Sequence, residues 1–148
     1  MPQSSAIIIF LADYLIYFLP LGPLLAAYRR RYPRLIWESL AAAVLAWAMG
    51  FLIKNFYYLP RPFIFAAQLP LVQFHLDGSF PSNHTAVAFA LSFPLLRYSR
   101  PAGLIMTFFS SLLASSRIMG GVHTLPDIVA GVILAAISSL AVRRLFRG

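Results

Sequence analysis

Five long apolar segments restrict this chain to folds that a lipid bilayer can hold. They are separated by short polar stretches and run over residues 6–28, 35–54, 82–97, 102–117 and 126–145. A helix needs about 20 apolar residues to cross the hydrocarbon core, so each segment predicts a transmembrane helix, the third and fourth extending slightly into the flanking turns. The sequence therefore predicts an all-α, polytopic membrane helical bundle that forms one domain over residues 1–148.

A further apolar stretch, residues 63–75, is too short to span a bilayer, and Pro70 interrupts it. We expect it to form a short interfacial or re-entrant segment on the outer face. The first 20 residues have no positively charged start and no small-residue cleavage site. This favours a retained helix over a cleaved signal peptide.

The composition supports a membrane protein and argues against nucleic acid as a partner. Charged residues make up 11% of the chain, whereas soluble domains carry about 25%. The net charge of +8 arises mainly at one end of the predicted helices, which carries 9 of the 12 Lys and Arg residues. These are Arg29, Arg30, Arg31, Arg34, Arg97, Arg100, Arg143, Arg144 and Arg147.

Positively charged residues mark the cytoplasmic side of a membrane protein. We therefore expect a multi-pass protein of the cell membrane with a cytoplasmic C-terminus, whose opposite helix ends face outward. The chain contains no cysteine, which excludes disulfides and thiol chemistry.

Three polar clusters fall at the outward helix ends. Their sequences are KNFYYLPRP over residues 54–62, FPSNHT over 80–85 and SRIMGGVHTLPD over 116–127. Predicted helices two and four end at a cluster, and helices three and five begin at one. The alternation of the helices brings all four of these ends to one face, so we expect the clusters to form a single site, bordered by membrane lipids.

The first cluster supplies two cations, Lys54 and Arg61. Cations held near each other repel unless an anion joins them. The planar guanidinium group of arginine binds phosphate through two hydrogen bonds, while the lysine ammonium group acts as a point charge. The alternative is a basic flank at a helix end, but such flanks are disfavoured on the outer face.

The second cluster opens predicted helix three. Ser82 is a preferred N-cap residue, so the backbone N–H groups of Asn83 and His84 point out of the helix end. Such an end binds anions through its N–H groups and its dipole, and His84 then lies beside the anion as a proton donor. The alternative is a plain capped helix with an interfacial histidine.

The third cluster carries Arg117, His123 and Asp127. Asp127 lies in the first turn of predicted helix five, from which its carboxylate can reach back to His123. A carboxylate on one imidazole nitrogen fixes the tautomer and leaves the other nitrogen free to attack. The alternative is a helix cap combined with a buried ion pair.

Together the clusters offer three cations, a helix N-terminus, two histidines and an aspartate. This set supports phosphoryl transfer, in which the cations neutralise the phosphate oxygens, one histidine attacks phosphorus and the other protonates the leaving oxygen. No cluster has the carboxylates and histidines of a two-metal site. We therefore expect neither a metal nor another cofactor.

The order and spacing of these residues resemble the three-part signature of the type-2 phosphatidic acid phosphatase superfamily. The first part is Lys54 followed, after six residues, by Arg61-Pro62. The second part is Pro81-Ser82-Asn83-His84. The third part is Ser116-Arg117, then His123 after five residues and Asp127 after three more. The match covers residues 54–127, about half of the chain, and the apolar segments are similar in number to those of the small membrane-integral members.

The resemblance implies a helical bundle and a metal-independent phosphatase that works through a phosphohistidine. It implies that His123 is the nucleophile with Asp127 as its partner and that His84 is the general acid. It also implies a set of phosphate-binding residues, namely Lys54, Arg61, Arg117, Ser82 and Asn83. The family usually has glycine in place of Asn83; the backbone donor survives this change, and the Asn side chain narrows the pocket or adds a donor.

The motif RPF followed by DGSFPSNHT is more similar to the phosphatases that recycle the undecaprenyl carrier than to glycerolipid phosphatases. We therefore expect hydrolysis of polyprenyl (undecaprenyl) pyrophosphate or a related lipid phosphate at the outer membrane face. Two alternatives stay open: a phosphatidylglycerophosphate or phosphatidate phosphatase, and a lipid phosphotransferase. A channel or transporter is less compatible, because residues 86–116 carry no charged side chain except Arg97 and Arg100 at the far end.

The chain has four acidic residues, and Asp127 is the one within the signature. Asp13 lies deep in the first apolar segment, where an ionisable side chain is a functional candidate, and the sequence identifies no partner for it. Glu38 is expected to pair with Arg34 at the inner end of helix two. Asp77 and His75 lie near the second cluster but outside the signature.

Overall fold

The computed structural model of the 148-residue chain describes residues 3–30, 32–66, 69–74 and 77–146. These residues contain no β-strand, which confirms the all-α prediction. The helical elements are α1 (Gln3–Ile9), a π-helical turn (Phe10–Tyr14), α2 (Leu15–Phe18), α3 (Leu21–Arg30), α4 (Pro33–Phe56), α5 (Pro62–Ala66), α6 (Asn83–Tyr98), α7 (Arg100–Met119) and α8 (Leu125–Leu145).

Three helices, α4, α7 and α8, are long and apolar enough to cross a membrane. The elements from α1 to α3 form a fourth candidate span, bent by 42°. Pro20 lies at the bend, and proline lacks the N–H group that a continuous helix requires. Helix α6 has 16 residues, fewer than the roughly 17 that the shortest spanning helices need. Length and composition therefore give three or four candidate spans, where the sequence predicted five.

Helix α6 lies at the centre of the bundle, packed against α4, α7 and α8. Many of its buried positions hold small or aliphatic residues, namely Ala86, Ala88, Ala90, Leu91 and Leu95. Small residues let helices approach closely in a membrane, where packing rather than exclusion of water drives association. This packing brings the start of α6 next to the end of α4 and the start of α8.

A close backbone contact fixes the start of α6 against α8. A Cβ atom at Gly131 would lie 2.8 Å from the carbonyl oxygen of Ser82 and 3.0 Å from Cβ of Thr85, so glycine is required for this approach. The backbone N–H of Ser82 also donates to the carbonyl oxygen of Asp127 at 3.1 Å. These contacts place the second and third polar clusters side by side.

The stretch predicted to be interfacial or re-entrant begins with the short helix α5. Residues 69–74 then pass the end of α7, where the N–H of Leu71 donates to the carbonyl oxygen of Gly120 at 3.2 Å. A Cβ atom at Gly120 would lie 2.6 Å from the side chain of Val72, so this glycine admits the crossing segment. Residues 67, 68, 75 and 76, which include His75, lie outside the described residues.

At the opposite end of the bundle, the partner predicted for Glu38 is wrong. Glu38 accepts a hydrogen bond from the hydroxyl of Tyr98 at 2.8 Å and forms an ion pair with Arg97. Both partners lie at the end of α6, which packs beside the start of α4. The sequence indicated Arg34 because it lies one helical turn away on α4 itself, whereas the contact depends on how two helices pack.

Candidate active site

The three polar clusters meet around a cavity of about 510 Å³, a size typical of small-molecule sites. The polar part of its lining comes from all three clusters and the loop before the second, through Lys54, Arg61, Asp77, Asn83, His84, Arg117 and His123. The apolar part consists of Ile16, Tyr17, Trp47, Phe51 and Val87. A lining with charged and apolar members suits a ligand that is itself amphiphilic.

Asp77 holds Lys54 and Arg61 close to each other. Lys54 Nζ donates to Asp77 Oδ2 at 2.9 Å, and Arg61 Nη2 donates to Asp77 Oδ1 at 2.5 Å. Burial raises the pKa of Asp77, but the hydrogen bonds from the two cations outweigh it and bring the pKa below its ordinary value. Asp77 is therefore an ionised carboxylate at neutral pH, in contact with both cations of the first cluster.

The backbone provides a second set of contacts for the same cations. Lys54 Nζ also donates to the carbonyl oxygen of Gly78 at 2.5 Å, and Arg61 Nη1 donates to the carbonyl oxygen of Val122 at 3.1 Å. Both cationic side chains are buried. The loops on either side of the cavity thus fix the positions of Lys54 and Arg61.

Ser82 caps α6, as the sequence predicted. Its Oγ accepts hydrogen bonds from the backbone N–H and the hydroxyl of Thr85, at 3.4 and 3.0 Å. Ser82 is fully buried and does not line the cavity, so its role in binding phosphate stays a prediction. Asn83 and His84 follow in the first turn of α6, and both line the cavity.

The side chain of Asn83 fits because α4 has a glycine opposite it. A Cβ atom at Gly50 would lie 2.1 Å from Oδ1 of Asn83. The chain therefore has Asn on α6 where the family usually has glycine, together with glycine on the facing helix. The amide reaches α4 and forms part of the cavity lining.

Arg117, the last cation of the site, is held by a residue for which the sequence gave no partner. Arg117 Nη1 donates to Asp13 Oδ1 at 2.9 Å, and Arg117 Nη2 donates to the carbonyl oxygen of Gln73 at 3.1 Å. Asp13 lies in the π-helical turn, and its Oδ2 accepts from the N–H of Gln73 at 3.0 Å. Such turns are rare and frequent at functional sites; this one carries the carboxylate that orients Arg117.

His123 and Asp127 face each other as predicted, with His123 Nδ1 3.4 Å from Asp127 Oδ2. Asp127 Oδ2 also accepts from the N–H of Thr124 at 2.7 Å, which fixes the carboxylate at the start of α8. The histidine contact is longer than an ordinary hydrogen bond, and catalytic hydrogen bonds often tighten only when substrate is bound. Since Nδ1 faces Asp127, Nε2 is the ring nitrogen available for chemistry.

The environment of His123 keeps its imidazole neutral. Its pKa is lowered from 6.5 to about 4, mainly by burial and further by the charges of Arg61 and Arg117, while Asp127 acts in the opposite direction. Near pH 7 the ring is therefore unprotonated. That is the form that can attack an electrophile.

Two buried donors of the site lack an acceptor within the described part of the protein. Nε of Arg61 and Nε of Arg117 have no hydrogen-bond acceptor among the described residues. A buried donor without an acceptor costs about 1–3 kcal/mol, and both arginines line the cavity. Within the described ranges, no group of three or more His, Cys, Asp or Glu residues has the arrangement of a metal site.

The structure gathers most of the predicted site residues around the cavity. The six that line it are Lys54, Arg61, Asn83, His84, Arg117 and His123. The other two, Ser82 and Asp127, lie behind the lining and contact it through α6 and His123. The sequence did not reveal the contacts of Asp13 and Asp77. The small number of acidic residues could have pointed to Asp13 and Asp77, since three of the four acidic residues lie at this site.

Several known proteins have sequences similar to that of this chain. The pattern of the PAP2 superfamily matches residues 16–148. The bacitracin transport permease protein BcrC of Bacillus licheniformis is 30% identical over 144 residues, covering 93% of this chain and 70% of that protein. The undecaprenyl-diphosphatase BcrC of Bacillus subtilis is 35% identical over 89 residues, covering 60% of this chain and 46% of that protein.

Two solved structures have a similar fold. The structure of Aquifex aeolicus LpxE has a TM-score of 0.73 and 23% identity, covering 97% of this chain and 87% of that one. A PAP2-type phosphatidylglycerolphosphate phosphatase from Bacillus subtilis has a TM-score of 0.70 and 18% identity, covering 99% of this chain and 78% of that one. At these identities the likeness concerns the fold alone. The match over residues 16–148 includes the whole cavity lining, and this chain is therefore a membrane-type member of the PAP2 superfamily of phosphatases.

Proposed function

We propose that this protein is a membrane lipid phosphatase that hydrolyses a polyprenyl pyrophosphate, with undecaprenyl pyrophosphate as the preferred substrate, through a phosphohistidine on His123. The observation that carries the proposal is a neutral, buried histidine that faces Asp127 and lines a cavity together with three cations. The substrate choice is supported by similarity to a protein named undecaprenyl-diphosphatase.

The reaction proceeds in two displacements. In the first, Nε2 of His123 attacks the terminal phosphorus, and the bond between that phosphorus and the bridging oxygen of the lipid monophosphate breaks. His84, as imidazolium, gives its proton to the leaving oxygen, while Asp127 stabilises the positive charge that develops on His123. In the second, water attacks the phosphohistidine and gives a proton to His84, which releases inorganic phosphate and restores His123.

The cations act on the phosphate oxygens during both displacements. Charge in a phosphoryl-transfer transition state spreads over the three equatorial oxygens, and fixed cations stabilise it. Lys54, Arg61 and Arg117 line the same cavity as His123, so their three positive charges lie where these oxygens would be bound.

The apolar lining suits the lipid part of the substrate. Tyr17, Trp47 and Phe51 line the cavity and are nevertheless 75%, 50% and 47% exposed. They belong to α2 and α4, two elements of candidate membrane spans. Side chains that border the cavity and also face outward from the bundle support entry of the lipid from the side, within the bilayer.

The charge distribution supports an outward-facing site. The arginine-rich helix ends lie opposite the cavity, and positively charged residues favour the cytoplasmic side. The cavity then opens at the extracytoplasmic face of the cell membrane, and the C-terminus is cytoplasmic.

Phosphate release from a panel of lipid phosphates tests the proposal. The purified protein in detergent, with a strong chelator present, is compared on undecaprenyl pyrophosphate, phosphatidylglycerophosphate and phosphatidate, with His123→Ala as the inactive control. We expect the highest kcat/KM on the pyrophosphate and no effect of the chelator. A higher kcat/KM on a glycerolipid phosphate would contradict the proposed pyrophosphate substrate. Transfer of the phosphate to a lipid acceptor, without release of inorganic phosphate, would make the protein a phosphotransferase. Loss of activity with the chelator that a divalent ion restores would overturn the phosphohistidine mechanism.

A further inference from the structure

Three carboxylates accompany the cations of the site. The pairs are Asp77 with Lys54 and Arg61, Asp13 with Arg117, and Asp127 with His123. With His123 neutral and the two histidines left aside, the three positive formal charges of Lys54, Arg61 and Arg117 face the three negative charges of these carboxylates. A phosphate group competes with these carboxylates for the same cations, so its binding is strongest if one carboxylate gives up its partners.

The three carboxylates differ in how readily they can move. The side chain of Asp77 is 40% exposed, whereas that of Asp13 is 9% exposed and that of Asp127 is fully buried. Asp77 also lines the cavity, and the other two do not. An exposed carboxylate regains water when it leaves its partners, while a buried one becomes an uncompensated charge. Asp77 is therefore the carboxylate that an incoming anion can displace.

The contacts of Asp77 are those that phosphate oxygens would make. One carboxylate oxygen lies 2.9 Å from Lys54 Nζ and the other 2.5 Å from Arg61 Nη2. Phosphate oxygens bind the same donors at similar distances. Because Lys54 and Arg61 also donate to backbone carbonyl groups, both cations keep their positions when the carboxylate leaves.

We propose that Asp77 is a displaceable internal anion, which occupies the phosphate position on Lys54 and Arg61 in the free protein and yields it to a phosphate group. It thereby lowers the affinity for the phosphate of the lipid and for inorganic phosphate, and it speeds release of a product that three cations would otherwise retain. The inference rests on the proposed function in taking the cavity as a phosphate site.

The direct test measures binding of inorganic phosphate to the purified full-length protein in detergent by isothermal titration calorimetry, without turnover. Asp77→Asn keeps the shape of the side chain and removes its charge. We expect roughly two- to fivefold tighter binding, the range expected when a partly exposed ion pair no longer competes. Asp77→Glu keeps the charge and should bind phosphate like the wild type.

A second control separates local competition from net charge. Glu38→Gln removes one negative charge at the opposite end of the bundle, where Glu38 contacts Arg97 and Tyr98. It should leave phosphate affinity unchanged. If Asp77→Asn does not give folded protein, as judged by its elution and melting profiles, Asp77→Ser is titrated in its place.

The outcomes distinguish this inference from the proposed function. Unchanged or weaker binding by Asp77→Asn overturns the inference and makes Asp77 a support for Lys54 and Arg61, while the phosphatase proposal stands. Absence of phosphate binding in the wild type and in the variant removes the phosphate site and both proposals with it. A lipid substrate provides the second arm: Asp77→Asn should lower its KM and deepen inhibition by inorganic phosphate, and either change without the other contradicts the inference.

Discussion

At the scale of single residues, the two histidines of the cavity differ in their surroundings. His123 is 3% exposed and faces a buried carboxylate, whereas His84 lies in the first turn of α6, at the N-terminus of that helix. The proposed mechanism therefore gives nucleophilic attack to His123 and proton donation to His84. These roles respond differently to the leaving group.

We expect His123→Ala to abolish turnover and any trapped phosphoenzyme. His84→Ala should slow hydrolysis of a lipid monophosphate by about 10²–10⁴-fold, the usual contribution of a general acid. With nitrophenyl phosphate the leaving group needs less protonation, so the first step of the His84 variant should recover in part. The measurement is single-turnover phosphorylation with both substrates. Identical responses of the two variants, or a phosphoenzyme in His123→Ala, would refute the assignment.

The lowered pKa of His123 has a measurable consequence for the pH dependence. We expect its imidazole to titrate near pH 4 in NMR spectra of histidine-labelled protein, with the signal assigned by its loss in His123→Ala. Because the folded pKa lies below the ordinary 6.5, the stability linked to this group is complete above about pH 6.5 and lost as the pH falls toward 4. Arg61→Gln should raise the pKa, since a nearby positive charge is removed. A signal near pH 6.5 would contradict the burial argument.

At the scale of elements, the sequence predicted the site residues that lie at helix ends. Ser82 and Asp127 were predictable because caps and first turns have local sequence preferences. The partners of Asp13 and Asp77 were not predictable, since they depend on a π-helical turn and on a loop that folds over α4. Neither feature has a periodic pattern. The same limit applies to Glu38, whose partners lie on a neighbouring helix.

The close contact between α6 and α8 can be tested by a substitution that adds a single methyl group to α8. Gly131→Ala would place a Cβ atom 2.8 Å from the carbonyl oxygen of Ser82, forcing the helices apart. Overpacking of this kind costs about 1–3 kcal/mol, and here it also moves His84 relative to His123. We expect a lower melting temperature in detergent and at least a tenfold loss of kcat. Val129→Ala, at a 49% exposed position of the same helix, should change neither.

At the scale of the whole molecule, the bundle is built around a helix that is shorter than a typical span. Helix α6 packs on three sides against protein and opens at its N-terminus into the cavity. A helix enclosed in this way does not need the length of one surrounded by lipid. The prediction of five spans treated each apolar segment as a helix surrounded by lipid. Helix α6 is instead enclosed by other helices and is only 16 residues long.

The arrangement in the membrane can be tested with two reporters. We expect a reporter fused after Gly148 to be cytoplasmic, because nine arginines lie at that end of the predicted helices. A small tag inserted at Gln68, in the stretch between the first and second polar clusters, should be accessible from outside. Location of both reporters on the same side would contradict the proposed orientation. The activity of each fusion serves as the control for correct folding.

If the lipid enters the cavity from the side, past its exposed apolar side chains, the rate of hydrolysis depends on how much substrate the membrane holds per unit area. A lipid that enters from the side through Tyr17, Trp47 and Phe51 reaches the cations by two-dimensional diffusion, without passing through water. Adding detergent at constant total lipid would then slow hydrolysis, because each micelle carries fewer substrate molecules. Hydrolysis of nitrophenyl phosphate, which reaches the cavity from water, would not change. Turnover in a cell would accordingly depend on the mole fraction of the lipid phosphate in its leaflet.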